Sequence, residues 1–233
     1  YPVETIEPLP AVVIFPGGGY THRAEHEAEP IARFFNEKGF QAFVVNYRVY
    51  PHQFPCGLQD AQRAVKLVRG RAKEYGVNPE AVFTVGFSAG GHLTGCVATL
   101  PDYAKVGDAF DDISPKPTGA VLSYPVVSAE VLDGINSCQY IEKICESGEI
   151  SSQELSLEKR VTEKTAPCFV WHTFGDVLVS VSNSLLFCRA LKAHNVPFEL
   201  HTYSHGPHGL GLAQKYPDIS QWAEHAVRWM KSF

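Results

Sequence analysis

The chain has 233 residues, of which 45% are apolar and 19% charged, enough to bury the core of one large α/β domain. Its net charge is −5 and its lysines and arginines are scattered, so we expect no nucleic acid partner. No apolar run approaches the roughly 18 residues that a membrane helix needs, so we expect no membrane partner either.

The first half of the chain alternates apolar runs with helical patterns. Residues 11–15 form a continuous apolar run, typical of a strand covered on both faces, and lead into Pro16-Gly17-Gly18-Gly19-Tyr20. Apolar residues at helical spacing follow Pro30 and stop at Gly39, which indicates a helix. The remaining elements of this half are a strand at 41–47 and a helix at 58–75.

The second half continues the alternation. A strand at 81–85 leads through a glycine-rich turn into a helix that ends at Pro101. Further strands are predicted at 120–124, 168–172 and 198–203, and further helices at 183–194 and 219–230. Together these elements predict a parallel, doubly wound sheet of about six strands with helices on both faces. Such sheets carry their chemistry at the carboxyl ends of the strands.

Residues 128–165 break this rhythm and are interpreted as a short helical insertion within a single domain at 1–233. Apolar residues over 131–144 predict an amphipathic helix, and Ser151-x-x-Glu154 resembles the capping box of a second one. The many charges favour a lid or rim that lacks the continuous apolar face of an interfacial lipase lid.

The stretch Gly86-x-Ser88-x-Gly90 has the pattern of a nucleophile elbow, a strand-to-helix turn so sharp that the serine takes a strained conformation. Glycine is needed on both sides because a Cβ there would collide with the neighbouring strand or helix. A glycine-rich turn with an incidental serine is the alternative interpretation. The strand before it and the helix after it favour the elbow.

A serine hydroxyl is a weak nucleophile until a base takes its proton, and a third group must orient that base. In this architecture the order along the chain is serine, acid, histidine. Asp176 follows the strand at 168–172 by a short loop, and His208 lies in a glycine-rich loop after the last strand. His205 is the alternative base, but His208 lies deeper in that loop between two glycines.

His201, His205 and His208 also raise the alternative of a metal site. His201 alternates within a strand, and no Asp, Glu or Cys completes the spacing of a tetrahedral site. We therefore expect no metal.

The glycine run after the first strand fits a separate need of acyl transfer. A tetrahedral oxyanion requires two or three N–H donors, and glycine lets the backbone approach the scissile carbonyl. Gly18, Gly19 and Ala89 are the predicted donors. A phosphate-binding loop is the alternative, but the spacing is neither GxGxxG nor a Walker pattern.

Several polar residues are predicted near the mouth of this site. Tyr20, His22 and Tyr124 are candidates for substrate contact, although simple loop packing explains each equally well. His92, one turn into the helix after Ser88, is predicted to be buried and hydrogen-bonded.

The six cysteines are dispersed, and most fall at apolar positions where cysteine acts as a small hydrophobic residue. A disulfide between Cys138 and Cys145 is the alternative. A reducing compartment fits better, so we expect a cytoplasmic location. Secretion stays open because Tyr1 is not a natural start and an upstream targeting segment could precede it.

Taken together, the motifs resemble those of the compact α/β-hydrolase esterases of the acetyl-xylan esterase and feruloyl esterase type. The resemblance spans nearly the whole chain and rests on Pro16-Gly17-Gly18-Gly19-Tyr20, Asn46-Tyr47-Arg48, Gly86-Phe87-Ser88-Ala89-Gly90-Gly91-His92-Leu93, Trp171-His172-Thr173-x-x-Asp176, Asn183-Ser184-Leu185-Leu186 and Gly206-Pro207-His208-Gly209-Leu210-Gly211. It implies an α/β-hydrolase fold, a Ser88–Asp176–His208 triad, an oxyanion hole and no cofactor. Two positions depart from the family pattern, because Gly175 stands where many relatives have a second acid and Ser180 where they often have proline.

These features predict a serine carboxylester hydrolase for short acyl esters. The resemblance alone implies the substrate, a small-molecule or carbohydrate ester such as acetylated plant polysaccharide. The alternatives are a feruloyl esterase or lipase of the same fold, then a serine peptidase, then a non-catalytic binding module. The presence of every catalytic group argues against the binding module, and a homodimer stays open.

Overall fold

The computed structural model describes all 233 residues and contains one six-stranded sheet in which all neighbouring strands are parallel. The strands are β1 (Leu9–Phe15), β2 (Gln41–Val44), β3 (Val77–Phe87), β4 (Ala120–Ser123), β5 (Cys168–Thr173) and β6 (Phe198–Tyr203). Their order across the sheet is β2-β1-β3-β4-β5-β6. The predicted parallel, doubly wound sheet is confirmed.

Helices cover both faces of the sheet. They are α1 (Glu29–Glu37), α2 (Cys56–Gly70), α3 (Ala72–Tyr75), α4 (Ala89–Thr99), α5 (Gln139–Lys143), α6 (Ser182–Ala193) and α7 (Gln221–Met230). The apolar faces of α1 and α7 pack on one side of the sheet, and those of α2, α4 and α6 pack on the other. None of these helices combines the length and the apolar character needed to span a membrane.

The two cores explain why β1 is apolar throughout. Side chains alternate across a strand, so Val13 enters the core beneath α2, α4 and α6, whereas Val12 and Ile14 enter the core beneath α1 and α7. All three are fully buried. A strand covered on both faces has no position for a polar residue that faces solvent.

The strand ends that carry the candidate site meet at one edge of the sheet. Phe15 at the end of β1 lies opposite Gly86 of β3. Phe87 at the end of β3 lies opposite Ser123 of β4, which in turn lies opposite Trp171 of β5. The loops that follow these strands therefore start close together.

The predicted helix at 58–75 is interrupted near its end. Residue Gly70 closes α2, and Arg71 leaves the helical conformation before α3 begins. Glycine is a poor helix former, and here a Cβ would also overlap the ring of Phe110 packed against it.

The predicted amphipathic helix over 131–144 is wrong, because only the five residues of α5 are helical there. Asp133 and Gly134 have φ of 53° and 75°, so the chain turns where the helix was expected. The capping box of Ser151 and Glu154 is present, but it opens a short 3-10 helix, Ser152–Leu155, rather than an α-helix.

All six cysteines are free thiols, so the alternative disulfide between Cys138 and Cys145 is absent. Burial raises the pKa of Cys145 to about 11 and that of Cys188 to about 12. Both thiols therefore stay protonated and unreactive at neutral pH.

Candidate active site

A sharp turn between β3 and α4 carries Ser88 at the edge of the sheet. Ser88 has φ of 53° and ψ of −118°, a strained conformation for a residue with a Cβ. A Cβ on Gly86 would overlap the carbonyl oxygen of Gly90, and one on Gly90 would overlap the carbonyl oxygen of Phe15. Glycine is therefore required on both sides of Ser88, as the elbow pattern predicts.

The loop after β6 brings His208 onto this serine. The Nε2 atom of His208 lies 2.8 Å from Oγ of Ser88, within reach of the hydroxyl proton. Ser88 is buried and the His208 side chain is 14% exposed, so the pair lies at the base of an opening. His205 points elsewhere, with its Nε2 atom 3.6 Å from a carboxylate oxygen of Asp218.

Asp176, in the loop after β5, holds the second ring nitrogen of His208. Its Oδ2 atom lies 2.6 Å from Nδ1 of His208 and 3.3 Å from Nε2 of His172. Its Oδ1 atom accepts hydrogen bonds from the N–H groups of Leu178 and Val179, each at 2.9 Å. Burial raises the pKa of Asp176, but the contacts with His172, His208 and the N–H of Val179 outweigh it and hold that pKa well below its usual range. The ionised carboxylate therefore keeps a proton on Nδ1 of His208 and leaves Nε2 free to face the serine.

Three backbone N–H groups near Ser88 donate to no hydrogen-bond acceptor within the chain. Gly18 and Gly19 line the cleft beside Ser88, and neither donates its N–H to another group of the chain. Both have positive φ, 124° and 59°, and a Cβ on Gly18 would overlap the backbone of His22. Ala89 is the first residue of α4, so its N–H has no acceptor within the helix. The structure thus brings together the three predicted oxyanion donors.

Tyr20, a predicted candidate for substrate contact, does not line the cleft. Its side chain is buried, and its hydroxyl group lies 2.7 Å from Nδ1 of His92. The Nε2 atom of His92 donates to the carbonyl of Leu155 at 2.9 Å. His92 is therefore buried and hydrogen-bonded as predicted, and Tyr20 anchors the glycine run to α4 from behind.

Tyr124, the other tyrosine predicted as a candidate for substrate contact, is also buried and does not line the cleft. Its hydroxyl group donates to Oε1 of Glu27 at 2.6 Å and accepts the N–H of Gly211 at 2.9 Å. The ring lies edge-on to the imidazole of His208, with centroids 5.0 Å apart. Burial and the carboxylate of Glu27 raise the pKa of Tyr124 well above its usual value, so it remains a neutral phenol.

An open cleft of about 430 Å³ lies above Ser88 and His208. His22 lines it, in agreement with its predicted position, and stands on the side formed by the glycine run. Gln139, Tyr140 and Lys143 of α5 also line it, and the Tyr140 ring packs against Gly19. The insertion at 128–165 therefore contributes a polar wall of the cleft.

The sequence patterns did not reveal Glu27 or the three residues of α5. Glu27 lies in a 3-10 helix, Glu25–Glu27, within a polar stretch that carries no motif. A helix as short as α5 has no measurable periodicity. A single sequence therefore contains no motif or periodicity that would identify Glu27 or the residues of α5 as part of the site.

The histidines that suggested a metal site diverge in the structure. His201 stacks on Phe169, with ring centroids 4.8 Å apart, whereas His208 contacts Ser88. No group of three or more His, Cys, Asp or Glu side chains is arranged to hold a metal ion.

The model of the BD-FAE family matches residues 1–191. The chain belongs to this family. The matched BD-FAE region begins before the glycine run and includes Ser88 and Asp176, while His208 lies beyond it.

Proteins of known structure are similar to this BD-FAE chain, among them a bifunctional hydrolase. The crystal structure of an acetyl ester-xyloside bifunctional hydrolase from Caldicellulosiruptor lactoaceticus is 42% identical, with a TM-score of 0.89 over 100% of this chain and 86% of that chain. This agreement assigns the sheet and its helices to the α/β-hydrolase fold.

Two curated relatives are longer proteins. Endo-1,4-beta-xylanase B of Butyrivibrio fibrisolvens is 36% identical over 212 residues, which are 87% of this chain and 32% of the xylanase. An acetylxylan esterase of Xylanibacter ruminicola is 28% identical over 230 residues, 95% of this chain and 45% of the esterase. The BD-FAE chain thus spans less than half the length of either relative.

Proposed function

We propose that the protein is a serine carboxylester hydrolase that removes short acyl groups, acetyl above all, from plant polysaccharide. The observation that carries this proposal is the continuous contact from Asp176 through His208 to Ser88, at 2.6 Å and 2.8 Å, beneath an open cleft. Unpaired N–H groups beside the serine complete what acyl transfer requires.

In the proposed reaction, Oγ of Ser88 attacks the ester carbonyl while Nε2 of His208 takes the hydroxyl proton. Asp176 stabilises the imidazolium and fixes its orientation. The N–H groups of Gly18, Gly19 and Ala89 donate to the oxyanion, each worth about 10²–10³ in rate.

The tetrahedral intermediate then collapses, and His208 gives its proton to the departing alcohol. A water molecule takes the place of that alcohol, loses a proton to His208 and attacks the acyl-enzyme. Collapse of the second intermediate releases the carboxylic acid, and the proton returns to Ser88.

The lining of the cleft supports a polar alcohol part of the substrate. His22, Gln139 and Lys143 offer hydrogen-bonding groups at its walls, and only two of the thirteen residues that line it are hydrophobic. Sugar hydroxyl groups suit these hydrogen-bonding side chains. Two similar proteins also support a carbohydrate ester as the substrate. One is named an acetyl ester-xyloside bifunctional hydrolase and the other an acetylxylan esterase.

A panel of esters tests the proposal. We expect turnover of p-nitrophenyl acetate and release of acetate from acetylated xylan, with kcat/KM falling steeply from acetyl to octanoyl esters. A preference for octanoyl esters would indicate a lipase, and preference for methyl ferulate a feruloyl esterase. Cleavage of aminoacyl-naphthylamides without ester turnover would indicate a peptidase and overturn the proposal.

A further inference from the structure

One buried carboxylate joins two loops of the candidate site that lie far apart in the sequence. Glu27 is 2% exposed. Its Oε2 atom accepts the N–H of Gly17 at 2.7 Å, directly before the two proposed oxyanion donors. Its Oε1 atom accepts the hydroxyl of Tyr124 at 2.6 Å.

Tyr124 extends this connection to the loop that carries His208. Its hydroxyl oxygen accepts the N–H of Gly211, three residues beyond His208, at 2.9 Å. Its ring contacts the imidazole edge-on. Tyr124 has φ of 36°, a strained conformation that the surrounding contacts must hold.

A carboxylate is an expensive group to bury at this position. No lysine or arginine nitrogen lies within 4.0 Å of Glu27, and the nearest cationic candidate is Nε2 of the half-exposed His26 at 3.5 Å. Burial of a charge is unfavourable unless hydrogen bonds satisfy its oxygens. Both oxygens of Glu27 are satisfied by groups that belong to the glycine run and to Tyr124.

We propose that Glu27 and Tyr124 are positioning residues, which hold the oxyanion loop and the His208 loop at a fixed separation across Ser88. This inference rests on the proposed ester hydrolysis. Neither residue touches the ester, and they act through Gly18, Gly19 and His208. A loop displaced by about 1 Å costs up to 10²-fold in rate without weakening substrate binding.

Tyr124→Phe is the most direct test because it keeps the ring against His208 and removes only the hydroxyl. The N–H of Gly211 and one oxygen of Glu27 then lose their partner. We expect kcat to fall about 10- to 100-fold with KM within about twofold. Rates are counted per active site, titrated with a fluorophosphonate, so that a misfolded fraction does not contribute.

Glu27→Gln is a second variant, for which we expect a smaller effect on kcat than for Tyr124→Phe. Its amide oxygen still accepts the N–H of Gly17, and its amide nitrogen donates to the oxygen of Tyr124. Neutral hydrogen bonds replace charge-assisted ones, which are about twice as strong, so we expect a smaller loss in kcat of about three- to tenfold.

A boronic acid separates positioning from general stability. It forms a tetrahedral adduct with the serine and requires both the oxyanion donors and the histidine. We expect its affinity to fall in parallel with kcat/KM in both variants. The matched control is Gln62→Met, which removes two partly buried hydrogen bonds, to the carbonyl of Pro101 and from the N–H of Tyr103, outside the cleft. It should lower Tm and leave kcat per active site and boronate affinity unchanged.

Wild-type kcat per active site and wild-type boronate affinity in both variants would overturn the positioning role. If Tyr124→Phe does not fold, Glu27→Gln decides by the same two measurements. A wild-type protein that neither turns over acetyl esters nor reacts with the fluorophosphonate would instead refute the proposed function.

Discussion

The Oγ atom of Ser88 and the Nε2 atom of His208 lie 2.8 Å apart, although 120 residues separate them in the sequence. The strands that precede them, β3 and β6, are separated by β4 and β5, a distance of about 14 Å at the usual strand spacing. The five residues that follow Tyr203 and end at His208 can span at most about 17 Å. The loop therefore crosses the carboxyl ends of β5 and β4, where His208 contacts Asp176 and Gly211 donates to the hydroxyl of Tyr124.

Substitution of the two histidines of this loop should give opposite results. His208→Ala removes the group in contact with Ser88, and we expect kcat to fall by about 10³-fold or more. His205→Ala removes an exposed ring near Asp218, and we expect less than a twofold change. Steady-state kinetics on p-nitrophenyl acetate measure both, and a reversed order would show that the wrong base is assigned.

Asp176→Asn should impair catalysis through the tautomer of His208. The asparagine oxygen will face the N–H groups of Leu178 and Val179, so its amide nitrogen must face Nδ1 of His208. The imidazole then accepts at Nδ1 and carries its proton on Nε2, where it cannot take the serine proton. We expect a loss in kcat of about 10³- to 10⁴-fold.

The control for that variant is Asp218→Asn, which changes an exposed carboxylate beside His205 and should leave kcat within twofold. An Asp176→Asn variant with more than a tenth of wild-type kcat would argue that the carboxylate does not orient the base. Circular dichroism establishes that both variants are folded.

Gly18→Ala should deform the proposed oxyanion loop. Its φ of 124° is unfavourable for alanine, and the new Cβ would overlap the backbone of His22. We expect kcat to fall about 10²-fold or more, because at least one N–H donor moves. Gly39→Ala is the matched control, since Gly39 also has positive φ (84°) but has open space around its Cβ position. Equal effects of the two substitutions on kcat would contradict the role of Gly18.

The stability of the fold should fall in mild acid because of His92. Burial outweighs the hydrogen bond to the Leu155 carbonyl and lowers the pKa of His92 to about 4, whereas the unfolded chain has a value near 6.5. Between these values the unfolded state binds a proton that the folded state excludes. The free energy of unfolding is therefore fully retained above about pH 6.5 and loses up to about 3 kcal/mol from this group as the pH falls to 4.

Urea denaturation at pH 7 and pH 4.5 tests this dependence. His92→Gln has no titrating group at this position, so its free energy of unfolding should decline less between the two pH values, by roughly 2–3 kcal/mol. The absolute stability of the variant does not affect the comparison. Parallel declines for the wild type and the variant would show that His92 is not the source.

The parts of the site that could be predicted from the sequence are those with a local pattern. Ser88 lies in a five-residue motif, Asp176 follows an apolar strand at a short interval, and His208 lies between glycines after the last strand. Each pattern consists of residue types that the geometry or chemistry of the catalytic side chain requires at neighbouring positions in the sequence. The order of these groups along the chain then limited how they could be combined.

Tyr20 and Tyr124 could not be placed in this way. The partner of the Tyr20 hydroxyl, His92, is 72 residues away, and the partner of the Tyr124 hydroxyl, Glu27, is 97 residues away. A tyrosine in a loop at the sheet edge has the same local sequence whether its hydroxyl group faces the cleft or a buried partner. The long-range contact decides between them, and a single sequence does not show it.

Reaction with a fluorophosphonate, followed by intact mass and peptide mapping, tests the central claim most directly. We predict one adduct per chain, located on Ser88, together with loss of p-nitrophenyl acetate turnover. Ser88→Ala should stay folded, take up no label and retain less than about 1% of wild-type activity. An unlabelled Ser88, or a folded Ser88→Ala variant that still hydrolyses the ester above that level, would contradict the account.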